Sequence, residues 1–191
     1  MNIGIYVYPE AEVLDFAGPF EVFSTAKRLA SHDWQVFLIA EHAELVQARG
    51  GFPIQPHYTI NNHPALDLLI VVGGDHRQQV VSQPVISWLQ QVAPNTPRVA
   101  SVCTGAFLLA QAGLLDGLEV TTHWEDVDAL RQYPALTVLE DRRWVAQGKW
   151  TTSAGISAGI DMSLFLVTQL ADKPLAVRTA KQMDYRWIEN G

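Results

Sequence analysis

Apolar residues fall along this chain in two alternating rhythms: short continuous runs, and longer stretches in which they recur every three or four positions. Ile3 to Tyr8, ending at Pro9, reads as a buried strand. Leu14 to Leu29 follows as a helix with Phe16, Phe20, Phe23 and Leu29 on one broad face, its start made irregular by Gly18-Pro19. Trp34 to Ala40 is a second strand. Between Glu41 and Ile60, Gly50-Gly51, Pro53 and Pro56 separate short apolar pairs, a pattern for small strands and turns rather than a helix. Leu66 to Val72 is a third apolar strand that stops on Gly73-Gly74, and Val80 to Val92 returns to helical spacing through Val81, Val85, Trp88 and Leu89.

Val99 to Val102 runs straight into Cys103-Thr104-Gly105, and Ala106 to Leu115, rich in good helix formers, closes at Gly117. Val120 to Thr122, Thr137 to Glu140, Trp144 to Ala146 and Trp150 to Thr152 are further short strands, with a helical segment near Trp124 to Gln132; Ile156 to Leu170 and Leu175 to Trp187 are helices. Strands alternating with helices imply an α/β fold with a mainly parallel sheet covered on both faces. Sites in such sheets lie beyond the carboxyl ends of the strands. Four features fall on that edge: the loop after the first strand with Asp15, Gly73-Gly74, Cys103, and His123. No repeat or linker divides the 191 residues, so a single domain is expected over 1–191.

Composition narrows the partners. The net charge of −7, with thirteen scattered Lys and Arg, disfavours binding to nucleic acid, which needs a clustered positive face. No run of eighteen apolar residues is present to span a bilayer, and the first strand starts too near Met1 for a secretory signal. A lone cysteine fits a reducing compartment, so a cytoplasmic location is expected.

Cys103 is either a small buried hydrophobe or a reactive thiol; a turn between a strand and a helix lowers a thiol's pKa through the backbone N–H groups aimed at it. Asp15 is either a helix cap or a desolvated carboxyl able to share a proton with that sulfur. Gly73 and Gly74 form a simple turn or let backbone N–H groups approach a developing negative charge. Thr104 stands where its hydroxyl or N–H reaches the same substrate atom. His123 is a packed or surface histidine or a site group, and Gly155 and Ile156, opening a helix, line the pocket or pack closely. Neither a GxxxxGK(S/T) loop nor a GxGxxG motif occurs, and the six histidines form no HExxH pattern, so neither a nucleotide cofactor nor a metal is expected.

With Asp15-Phe16-Ala17-Gly18-Pro19-Phe20-Glu21-Val22-Phe23, Val72-Gly73-Gly74, Ser101-Val102-Cys103-Thr104-Gly105-Ala106-Phe107 and Thr121-Thr122-His123-Trp124 in this order, the chain resembles the ThiJ/PfpI superfamily nearly end to end. The segment from Thr151 to Met162 resembles its isonitrile hydratase branch, which also includes the sensor-like domains of AraC-type regulators. The resemblance implies a three-layer, class I glutamine amidotransferase-like (flavodoxin-like) sandwich and a homodimer. It implies a nucleophile at Cys103, a carboxyl partner at Asp15 and an assisting hydroxyl at Thr104. The activity it implies is hydration of an isonitrile to an N-substituted formamide without a cofactor, on a small and largely apolar substrate. A ligand sensor, a redox or stress protein, an amidase and a glyoxalase-type enzyme are the other readings it offers. Protease-like members carry histidine directly after the cysteine; Thr104 stands there instead, which counts against a Cys-His protease.

Overall fold

The computed structural model describes residues 1–189. Its strands are β1 (Asn2–Tyr6), β2 (Gln35–Ala40), β3 (Val46–Ala48), β4 (Phe52–Ile54), β5 (Tyr58–Thr59), β6 (Leu68–Val71), β7 (Arg98–Val102), β8 (Glu119–Val120), β9 (Thr137–Val138), β10 (Trp144–Gln147) and β11 (Trp150–Ser153). Its helices are α1 (Val13–Ala30), α2 (Gln83–Val92), α3 (Gly105–Gln111), α4 (Val127–Leu130), α5 (Ala158–Leu170) and α6 (Lys173–Gln182).

The strands rich in Ile, Leu and Val assemble into a seven-stranded sheet in the order β10-β11-β7-β6-β1-β2-β5, parallel except where β10 pairs antiparallel with β11. The central strands are buried on both faces, Leu68 to Val71 completely, as expected when helices cover each side. α1, α5 and α6 pack on one another over one face, whereas α2 and α3 pair elsewhere and α3 lies on β6 and β7. This is the flavodoxin-like α/β sandwich expected. The order places the ends of β1, β6 and β7 side by side, so their three following loops converge.

Several boundaries differ from the sequence pattern for local reasons. α2 begins at Gln83, not Val80, because Ser82 caps it through the Val85 N–H and Pro84 sits in its first turn; Val81 is consequently exposed. α3 stops at Gln111, ahead of Gly113 in a left-handed conformation. α5 begins at Ala158, since Ile156 holds φ +51°, and α6 ends at Gln182. Residues 183–189 run instead as a non-helical tail bound by buried Asp161. Its Oδ1 accepts the Ile188 N–H (2.8 Å), its carbonyl accepts the Trp187 indole N–H (3.1 Å), and its Oδ2 pairs with Arg143. β8 and β9 form a separate two-stranded parallel sheet and do not extend the main one. Pro19 lies inside α1 rather than at an irregular start, and Gly18 lets α5 approach: a Cβ there would meet Ile160 Cγ1 at 2.8 Å.

Candidate active site

Cys103 closes β7 in a left-handed conformation, φ +55°, before α3 turns away. A non-glycine residue tolerates this only when its surroundings hold it. Here the Cys103 N–H donates to the Ser153 carbonyl (3.2 Å) and its carbonyl accepts the Thr122 hydroxyl (2.8 Å), so the ends of β11 and β8 fix both sides of the turn. α3 drops close to the sheet because Gly105 lacks a side chain: a Cβ there would sit 2.1 Å from the Val71 carbonyl oxygen.

Asp15 is not in a loop and caps nothing. Glu12 occupies the N-cap position of α1, and Asp15 sits completely buried in the first helical turn. Its Oδ2 accepts the Gly73 N–H (2.9 Å), while its buried Oδ1 has no hydrogen-bond partner among the described residues. A methyl group on Gly73 would lie 2.6 Å from Thr104 N, 2.7 Å from Cys103 Cβ and 2.8 Å from Asp15 Oδ2, so the three groups crowd one point that only glycine leaves open. Burial pushes the Asp15 carboxyl up to about 7, against the opposing pull of the Gly73 N–H. Burial also raises the Cys103 thiol, and the Asp15 charge adds to it, outweighing the Thr104 N–H. The expected depression of the thiol pKa by the turn is therefore reversed: the cysteine holds its proton and the carboxyl beside it titrates near neutrality.

Thr104 is engaged by backbone rather than facing an open site. Its Oγ1 accepts the Gly74 N–H and donates to the Gly74 carbonyl, both at 2.9 Å. With the Gly73 N–H on Asp15, both glycine donors are already occupied. Tyr8, which the sequence pattern shows only as part of a strand, is buried beside this pair; its phenol pKa is raised by burial and by the Asp15 charge.

Cys103, Thr104, Gly74, His123 and Ile156 all line one cavity of about 470 Å³, and Asp15 and Gly73 lie directly behind it. Gly155 supports the His123 ring: a Cβ there would strike His123 Cδ2 at 1.9 Å. His123 and Ile156 also wall an adjoining cavity of about 750 Å³ that reaches Gly155 and the exposed Trp124. The rest of the Cys103 cavity is charged, which pattern reading missed. Glu12 pairs with Arg49 (2.9 Å) and Asp75 with Arg77 (2.5 Å), and Glu125 and Asp126 face His123 Nδ1 at 3.8 and 3.6 Å. His76 lines the same cavity, stacked on Phe107 with ring centroids 4.4 Å apart. The available signal was position, since His76 follows Gly73-Gly74 by two residues at the carboxyl end of β6. Among the described residues no group of three or more His, Cys, Asp or Glu side chains is arranged to hold a metal ion, and no helix is long and apolar enough to cross a membrane.

This elbow cysteine backed by a buried acid coincides with a match of residues 1–169 to the DJ-1/PfpI family model. The chain belongs to that family. It is 32% identical to an isonitrile hydratase of Pseudomonas putida over 97% of this chain and 78% of that protein. It is 31% identical to the HTH-type transcriptional regulator CdhR of Pseudomonas aeruginosa over 91% of this chain, and it spans about half (52%) of that regulator's length. A crystal structure of a ThiJ/PfpI family protein from Pseudomonas syringae superposes with a TM-score of 0.88 at 27% identity, covering 96% of this chain and 74% of that one.

Proposed function

We propose that this family member is a cysteine-dependent hydratase that converts an isonitrile into an N-substituted formamide. The observation that carries the reading is the Asp15 carboxyl, titrating near neutrality, against the sulfur of Cys103. Similarity to the Pseudomonas putida isonitrile hydratase supports it. The terminal isonitrile carbon is electrophilic toward sulfur and also ends the step bearing a new hydrogen, so it needs a nucleophile and a proton donor at one place. In this reading the Asp15 carboxylate accepts the Cys103 proton as the S–C bond forms. It then returns the proton to the same carbon, leaving a thioimidate, Cys103 Sγ–CH=N–R. Water adds to that carbon, the C–S bond breaks with its electron pair going to sulfur, and the formamide leaves with the thiol restored. Thr104 acts here as a positioning residue that holds the Gly74 peptide, and His123 and Ile156 bound the space for the R group. Site walls so rich in paired charge suit a substrate with a polar portion beside its reactive carbon.

Purified protein is expected to turn cyclohexyl isocyanide into N-cyclohexylformamide, followed by gas chromatography, and Cys103→Ala to abolish the conversion. Turnover that survives the substitution overturns the mechanism. A second reading, a ligand-sensing domain, is favoured by the chain's match to about half the length of CdhR. It expects an isonitrile or another small molecule to bind without being consumed.

A further inference from the structure

Resting on the hydratase reading, the second half-reaction poses a geometric problem. Asp15 is completely buried behind the sulfur and does not line the cavity, so it reaches Cys103 and the carbon bonded to it from the sulfur side only, and not a water approaching the thioimidate from the open side. A base inside the cavity is needed. Glu12 and Asp75 are ion-paired to Arg49 and Arg77, and the Arg77 guanidinium holds the Asp75 carboxyl well below the usual range. Glu125 is mostly exposed, and the Asp126 carboxylate is turned onto the His123 ring, 3.6 Å from Nδ1. His123 Nδ1 accepts the Glu125 N–H (3.4 Å), which leaves the ring proton on Nε2 and makes that nitrogen a donor.

We infer that His76 is the base that activates the water which hydrolyses the thioimidate. Its carbonyl accepts the N–H groups of Gln79 (2.9 Å) and Val80 (3.0 Å). Its ring lies on Phe107, a buried residue of α3 one turn beyond Cys103. The loop carrying it is tied to the start of α1 by Asp75 N–H to the Glu10 carbonyl (3.1 Å) and Glu12 N–H to the Gly73 carbonyl (2.9 Å), so the imidazole and the sulfur are held by one connected frame. Burial pushes its pKa below the ordinary value and Arg77 adds to this, while the Gly74 carbonyl, Asp126 and Asp75 pull the other way. The net result is a neutral ring with a lone pair at neutral pH.

The water oxygen bonds to the thioimidate carbon, one water proton goes to His76, and the C=N π pair moves to nitrogen. His76 passes that proton to the nitrogen, giving Cys103 Sγ–CH(OH)–NH–R. The C–S bond then breaks, its electron pair stays on sulfur, and the hydroxyl proton returns to the pair formed by Cys103 and Asp15.

The test compares wild type with His76→Gln on cyclohexyl isocyanide, following formamide release and, by intact-protein mass spectrometry, the adduct on Cys103. Expected is a loss of turnover on the order of 10²- to 10³-fold, adduct formation within about threefold of wild type, and accumulation of protein heavier by one isonitrile. Hydroxylamine, a nucleophile that needs no base, releases that adduct. Should His76→Gln not fold, His76→Phe keeps the stack on Phe107 and is read in the same way. Hydrolysis at the wild-type rate overturns the role, and so does loss of adduct formation in step with turnover, which marks a merely structural residue. Wild type that gives neither adduct nor formamide overturns the hydratase reading and this inference with it.

Discussion

Asp15 binds its proton more tightly in the folded chain than in the unfolded one, since its pKa rises from 3.8 to about 7. Below pH ~4 both states hold the proton and the full stability contribution is present; between ~4 and 7 only the native state holds it, so stability falls as pH rises. Above about 7 that contribution is gone, a loss on the order of 4 kcal/mol. Asp15→Asn keeps an acceptor for the Gly73 N–H without a charge to bury. It is expected to melt higher than wild type at pH 8, by several degrees in calorimetry, with little difference at pH 4. Activity moves the other way. With the carboxylate as proton acceptor, wild-type kcat/KM rises with pH through about 7 and then levels, and Asp15→Asn loses at least ~100-fold along with that inflection. A variant as active as wild type at pH 8 removes Asp15 from the chemistry.

At the scale of elements, the converging ends of β1, β6 and β7 make the site, and the glycines set how near those ends come. Gly73→Ala drives a methyl into Thr104 N, Cys103 Cβ and Asp15 Oδ2 at once. It is expected to reduce turnover by ~100-fold or more and to lower stability by about 1–3 kcal/mol, measured by steady-state kinetics and urea unfolding of the same preparation. Much of this was legible in the chain. The runs Ile3 to Tyr8, Leu66 to Val72 and Val99 to Val102 announce buried parallel strands, and the edge rule then points to Asp15, Gly73 and Cys103. What could not be read is contact across elements. That Asp15 accepts the Gly73 N–H, that Thr104 Oγ1 is occupied by Gly74, and that Glu12 pairs with Arg49 and Asp75 with Arg77 at the cavity rim depend on loops meeting in space. The altered helix limits have local causes: the Ser82 cap, left-handed Ile156, and Asp161 holding residues 183–189 out of α6.

The molecule as a whole leaves Leu45 and Phe52 exposed on the β3–β4 hairpin, whose Arg49 also lines the Cys103 cavity. Burial of a large side chain is worth about 1.5–3 kcal/mol, so a second copy covering this hairpin would stabilise it, in keeping with the homodimer expected from the resemblance. Light scattering on wild type is expected to give twice the chain mass, and Phe52→Asp to give a single chain. An unchanged mass in Phe52→Asp removes the hairpin from the interface. Because Arg49 projects from the same hairpin, that variant is also expected to raise KM for the isonitrile.

The left-handed backbone at Cys103 has an evolutionary consequence. A sulfur in that conformation and a fully buried carboxyl are both unfavourable for the fold, and each is relieved by one substitution, glycine at 103 and asparagine at 15. A descendant kept only to bind its ligand gains stability from both changes and loses nothing it uses. Drift at these two positions together would therefore separate receptors from catalysts among sequences built on this scaffold.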